Sequence, residues 1–218
     1  MKLKWYGHAA FLITSDQGTK IITDPYEPGG FGGAIAYGPI PDQADIVLVS
    51  HDHGDHNYIQ GLAGKPRIVK GVGSHKVKEA EFKGVAAYHD GQKGSERGQN
   101  TIFCFTVDGV RICHLGDLGH VLSEQEAKQV GPVDVLLMPV GGVYTIDSSQ
   151  ATQTAQKLNP KIIVPMHYKT AHCGFPLAPV EDFTAGKTGV KTVKGSEVEI
   201  RKEKFPQSSE IIVLQPAL

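Results

Sequence analysis

Between residues 50 and 57 the chain reads SHDHGDHN. Three histidines and two aspartates fall within six positions: His51, Asp52, His53, Asp55 and His56. Imidazole nitrogen and carboxylate oxygen are the donors that zinc and its first-row neighbours take, and a catalytic ion keeps one position open for water. In an extended H-x-H segment His51 and His53 leave the backbone on the same side, because side chains alternate with a period of two. The turn that follows aims Asp55 and His56 at a second centre. Four donors from one turn can serve two ions but cannot complete both shells. More histidines and a bridging carboxylate must therefore arrive from elsewhere, at the ends of distant strands. With 10 histidines in 218 residues, such a pattern arises by chance in roughly one chain in a thousand, so a merely polar turn is the weaker reading.

The elements around this turn are strand-rich. KLKWY, AFLIT and KIITD are β-rich runs, with SDQGT as a hairpin turn between the second and third. Residues 27–41, EPGGFGGAIAYGPIP, are rich in glycine and proline and are expected to form a loop. Its length makes it a candidate lid over a site. DIVLVSH (45–51) is a continuous apolar run, the pattern of a strand buried on both faces, and it stops at the histidine cluster. PRIVKG and GVAAYHD are further short strands, the second ending at His89. TIFCFTVDGVRICHLGD reads as a hairpin turning at Asp108-Gly109. SEQEAKQV is a helix opened by Ser123, with Glu126 completing a capping box. DVLLMPVGG is a buried strand, SSQATQTAQKL a helix and KIIVPMHY another strand, ending at His167; two strand-like runs flank KEKFPQSSE in the tail. Metal-capable residues thus stand at strand C-terminal ends, the edge where open α/β sheets bind ligands. The expected class is mixed α/β in one domain, 1–218.

Bulk properties narrow the function. Apolar residues make up 40% and charged residues 21% of the chain, with a net charge of -1. Such a balance gives no broad attraction to nucleic acid or anionic membrane, and no apolar run approaches the roughly 20 residues of a membrane span. The opening MKLKWYGHAAFLI is basic and then apolar, but its apolar part is too short for a secretory signal. The expected location is the cytoplasm and the expected partner a small-molecule substrate, with a homo-oligomer compatible. Three cysteines, Cys104, Cys113 and Cys173, with no C-x-x-C pair, argue against a disulfide framework.

GHAAFLI followed by IITDPY, then SHDHGDH, AAYHD, CHLGD and VPMHY, in that order, resemble the motifs of the metallo-beta-lactamase superfamily. Within it the chain is most similar to the small metal-dependent hydrolases that include the ascorbate-phosphate lactonase-like proteins. The resemblance implies a four-layer αβ/βα sandwich. It also implies two divalent ions, zinc first with manganese or iron suited to the same donors. The first would be held by His51, His53 and His89, the second by Asp55, His56 and His167, with Asp117 bridging. Hydroxide held between two such ions would cleave an ester, lactone or phosphodiester. Asp55 would be catalytic as well as ligating, accepting or shuttling the nucleophile's proton. A nuclease of the same fold is one alternative, disfavoured by the charge; a non-catalytic metal-binding module is another.

Other polar residues are placed by position alone. His8, at the end of the first strand, His120, near Asp117, and His172, just after His167, are expected to contact substrate. Tyr144 and Lys169 are expected to meet an anionic group on it. Asp24 and Asp52 are expected to orient histidine rings, His114 to be packed behind the site, and His75 to lie on the surface.

Overall fold

Continuous apolar runs such as AFLI, IIT and IVLV require both faces of a strand to be covered, and the computed structural model, which describes residues 1–218, covers both. A first sheet holds β1 (Lys2–Gly7), β2 (Ala10–Thr14), β3 (Lys20–Thr23), β4 (Ile46–Val49) and β5 (Arg67–Lys70). A second holds β6 (Gly73–Val77), β7 (Ala80–Tyr88), β8 (Gln99–Val107), β9 (Val110–His114), β10 (Val135–Pro139), β11 (Ile162–Met166) and β12 (Val190–Thr192). Then β13 (Glu197–Glu199) returns to the edge of the first sheet, and β14 (Glu210–Val213) inserts into the second. The orders are β13-β1-β2-β3-β4-β5 and β12-β14-β11-β10-β9-β8-β7-β6.

The two sheets share one large core. Leu3, Phe11, Ile13, Ile46 and Leu48 of the first sheet belong to the same buried cluster as Phe103, Ile112, Leu137 and Val164 of the second. The alternate residues Leu12, Ile22, Val47 and Val49 pack on the opposite face, against Tyr26, Ile35, Tyr37 and Ile40. All four residues of β4 are therefore buried, which is why its sequence shows no polar alternation. Helices cover the far side of the second sheet, where α3 (Ser148–Leu158) packs on β10 and on α4 (Val180–Thr184). The outer cover of the first sheet is largely irregular chain.

That cover corrects the reading of residues 27–41. Ile35, Tyr37 and Ile40 are buried, Gly174 N donates to Ala34 O at 2.7 Å, and the Tyr37 hydroxyl meets Thr170 Oγ1 at 2.7 Å. Most of the segment is thus a fixed wall. Its tip, the helical turn α1 (Gly30–Gly33), is exposed from Phe31 to Gly33, with Phe31 56% exposed.

Local signals explain the remaining elements. Ser123 and Glu126 form their capping box at the start of α2 (Glu124–Val130), and Asp147 with Gln150 forms another at α3. Asp108 and Gly109 have φ of 50° and 75°, the left-handed pair that a two-residue hairpin turn requires. The short elements β6, β12 and α4 have too few residues for their periodicity to register in the sequence. No helix is long and apolar enough to cross a membrane.

Six strand ends converge on one edge. Those of β1, β4, β7 and β11 lead into His8, Ser50-His51, His89 and His167, while β3 runs into Asp24 and β9 into the turn that carries Asp117.

Candidate metal centre

Asp117 stands at the focus of the converging ends. Its Oδ2 lies 3.1 Å from His56 Nε2, 3.2 Å from His89 Nε2, 3.3 Å from His167 Nε2 and 3.9 Å from His51 Nε2. Around it the potential donors group as His51, His53 and His89; as His8, Asp55, His56 and His167; and as His51, His56 and Asp117. Donor atoms in each group lie within 4.8 Å of one another. All seven residues of the expected ligand set are brought together, and His8 joins them. No cysteine does.

A second layer of hydrogen bonds fixes which nitrogen faces inward. Asp24 is fully buried. Its Oδ2 accepts from His56 Nδ1 at 3.1 Å, His114 Nε2 at 2.8 Å and Ser50 Oγ at 2.7 Å. Its Oδ1 accepts from Ser50 N at 2.7 Å. Because the Ser50 hydroxyl donates to Asp24, it accepts from His51 Nδ1 at 2.9 Å. His51 and His56 therefore each carry a proton on Nδ1 and aim Nε2 at the cluster, the arrangement in which a carboxylate orients a metal-binding imidazole. Asp24 thus has the orienting role expected of it and His114 lies behind the site. Asp52 does not share that role: it is exposed, accepting from Asn57 Nδ2 at 2.8 Å and pairing with Lys70.

Electrostatics favour a cation here. Burial pushes the Asp117 carboxyl up, but His167 and His56 more than offset this and hold it well below the usual carboxylate range. Asp55 is likewise held low, mainly by His56 and by the His8 hydrogen bond against the effect of burial. His56 is the converse case, its tendency to lose the proton on burial overcome by Asp117 and Asp55, so its pKa lies well above 6.5. His51 is pushed down to about 3 by burial and by His56, and His8 to about 4 by burial and by His167.

The residues fit a metal. Buried Asp117 Oδ1 has no hydrogen-bond partner, a cost of about 1–3 kcal/mol unless something else satisfies it. The 3.1–3.3 Å separations match the roughly 3.3 Å edge of a tetrahedron with metal–donor distances near 2.0–2.1 Å.

Two glycines allow the ligand-bearing backbone to approach this closely. A Cβ on Gly119 would sit 2.3 Å from the His89 carbonyl carbon, and one on Gly141 would sit 2.3 Å from His167 O. Gly141→Ala is expected to cost about 1–3 kcal/mol through overpacking and to weaken metal binding by displacing His167. Thermal melts with and without added zinc test this, and an unchanged zinc-induced shift would contradict it.

A cleft of about 460 Å³ opens onto the cluster, walled by Phe31, Glu96, Arg97, Tyr144 and Phe175. A larger groove of about 990 Å³ lies along β6 and β7, but it gathers no set of donors, so the chemistry follows the smaller cleft.

Of the expected substrate contacts, Tyr144 lines this cleft. His8 lies at the cluster itself, its Nε2–H donating to Asp55 Oδ2 at 3.1 Å and its ring 4.1 Å from that of His167. Three others are turned elsewhere. His120 accepts from Tyr88 N at 3.3 Å, donates to Val121 O at 3.2 Å and faces Glu126. Lys169 donates to Phe175 O at 3.0 Å, so it fastens the cleft wall instead of entering the cleft. His172 is exposed, its ring 5.9 Å from that of Tyr37. Position beside a ligand in sequence misleads here because the chain turns sharply after each strand end.

Phe31, Glu96, Arg97 and Phe175 escaped the sequence reading. Arg97 belongs to the turn-rich run GQKGSERGQ directly after His89 and Asp90, the one available hint. Asp90 gathers that run, accepting backbone N–H bonds from Gln92, Gly94, Glu96 and Arg97 at 2.7–3.0 Å. Burial would raise the Asp90 carboxyl, but these four donors hold it down to about 2.

Comparison with known proteins agrees with this geometry. The family model of the beta-lactamase superfamily domain matches residues 2–167. A protein of Archaeoglobus fulgidus named as a UPF0173 metal-dependent hydrolase is 31% identical over 231 aligned positions, covering 92% of this chain and 94% of its own length. A Pyrococcus furiosus protein of the same name is 32% identical over 198 residues, covering 78% of this chain and 85% of that one. A solved Thermotoga maritima structure assigned to the metallo-beta-lactamase superfamily superposes with a TM-score of 0.79 at 36% identity, covering 98% of this chain and 97% of that one.

Proposed function

Because this chain belongs to the beta-lactamase superfamily, we propose that it is a metal-dependent hydrolase acting on a small ester, lactone or phosphodiester. In this reading His51, His53 and His89 would hold one divalent ion and Asp55, His56 and His167 a second, with Asp117 available to both. Zinc is the first candidate, and manganese or iron suits the same nitrogen and oxygen donors. Such ions, when bound, lower the pKa of water from 15.7 toward about 7 and polarise the oxygen under attack.

The observation that carries the reading is Asp117 Oδ2 lying 3.1–3.3 Å from three inward imidazole nitrogens contributed by three separate segments. Asp55 lies at the cleft and is held anionic, with His8 donating to it. It is the group poised to accept a proton from the nucleophile, and His8 keeps the carboxylate facing the cleft while it does so. The side chains of Asp55, His56, His89, Asp117 and His167 are themselves buried, which strengthens the charge interactions among them.

Metal analysis of purified protein is expected to give about two equivalents per chain. Chelation is expected to abolish cleavage of a generic phosphodiester or lactone, and metal addition to restore it. Proton release on metal uptake is expected as well, since His56 holds its proton in the metal-free state and ligands must be deprotonated to bind. Affinity should therefore fall as the pH is lowered. Bound metal without turnover of phosphodiesters, lactones or other esters would instead make this a binding module.

A further inference from the structure

The cleft has two features that the metal ligands leave unused. One is charge. Among the residues lining it, carboxylates are supplied by Asp52, Asp55, Glu96 and Asp117, and Arg97 is the one lysine or arginine. Its backbone is pinned through Asp90. Its guanidinium lies 5.5 Å over the Tyr144 ring, and its ionic partner is Glu96, 3.5 Å away and itself 58% exposed. A guanidinium so loosely paired retains donors for a planar, two-pronged bond to a carboxylate or phosphate.

The second feature is apolar. Phe31 holds a φ of 55°, and glycines flank it on both sides. For a bulky residue that conformation is strained and persists only when its surroundings impose it. The ring nevertheless faces solvent, edge-on to Phe175 at 5.5 Å and beside Gly54 of the histidine turn. Tyr144 meets Phe175 edge-on from its own side at 5.7 Å. Three aromatic rings thus form a wall that ends at Arg97.

We infer that this cleft selects a substrate that carries an anionic group on an apolar flank, with Arg97 seating the anion and Phe31, Phe175 and Tyr144 covering the flank. The inference rests on the hydrolase reading above and supplies its substrate class. Glu96 competes with the incoming anion for the guanidinium and so tempers its affinity.

Benzohydroxamate and its 3- and 4-carboxy derivatives, titrated calorimetrically into the metal-loaded protein, test this because the hydroxamate anchors each probe at the metal in the same way. At least one carboxylated probe is expected to bind about tenfold more tightly than the parent. Arg97→Ala removes the preference and leaves parent binding intact, Arg97→Lys restores part of it, and Glu96→Gln enlarges it. Phe31→Ala weakens all three probes alike, by about tenfold. Equal binding of parent and carboxylated probes, or a preference that survives Arg97→Ala, overturns the subsite alone. Failure of the parent hydroxamate to bind the metal-loaded protein overturns the reading of a metal open to substrate in this cleft, and the subsite with it.

Discussion

Asp117→Ala is expected to lower turnover by about a thousandfold or more while leaving the chain folded. The magnitude follows from the several kcal/mol of transition-state stabilisation that a bound ion supplies, each 1.36 kcal/mol being a factor of ten. Asp117 is the side chain that approaches the His56, His89 and His167 Nε2 atoms together. In the proposed two-ion site, its loss would remove the negative charge that keeps the cations close. One metal equivalent should loosen and the other remain on its histidines. The fold should survive because the backbone at this position is held separately, Asp117 N donating to Asn100 Oδ1 at 3.0 Å. The buried His56, deprived of its main charge partner, can also lose its proton instead of remaining an unpaired cation. Steady-state kinetics, metal content and circular dichroism on one preparation give the answer. Wild-type turnover in the variant would remove Asp117 from the chemistry.

Asp24→Ala is expected to be the most damaging change to stability in the site, although Asp24 is not among the proposed ligands. Four hydrogen bonds converge on this carboxylate, from Ser50 N, Ser50 Oγ, His56 and His114. Breaking a buried charged network by removing one partner typically costs about 3–5 kcal/mol. Loss of an orienting carboxylate behind metal-binding histidines typically costs 10- to 100-fold in metal affinity, so about that loss is expected here. Asp24→Asn separates the two effects, since asparagine tolerates the φ of 38° at this position but lacks the charge.

The pH dependence has a definite sign. Burial alone would raise the Asp24 carboxyl, but His114 and then His56 hold it below its ordinary value. A carboxylate depressed in the folded state contributes stability that is present above its unfolded pKa of about 3.9 and lost as the pH falls further. Denaturant unfolding of wild type and Asp24→Asn between pH 7 and pH 3 should therefore show the stability gap narrowing toward the acid end. A gap that stayed constant would mean the charge of Asp24 is not what stabilises the fold.

Much of this protein is written locally. The H-x-H-x-D-H turn, its position after an apolar strand, the hairpin at Asp108-Gly109 and the Ser123 capping box are set by side-chain period, left-handed turn residues and first-turn hydrogen bonds. Each of these acts within a few residues, so the chain's order alone displays it. The family motifs extend the same legibility to His89, Asp117 and His167.

What the sequence could not decide lies where distant segments meet. Residues 27–41 look like a free loop because glycine and proline dominate them. Only the folded chain puts Ile35, Tyr37 and Ile40 against the back of the first sheet and leaves Phe31 exposed. His120, Lys169 and His172 sit close in sequence to Asp117 or His167, yet the turns after the strand ends carry them away. Arg97 stands far in sequence from Tyr144, yet Asp90 folds its loop back over the cleft. The direction in which a side chain leaves a turn depends on a few backbone angles and on what packs behind them. Neither is specified until the two sheets have closed on a common core.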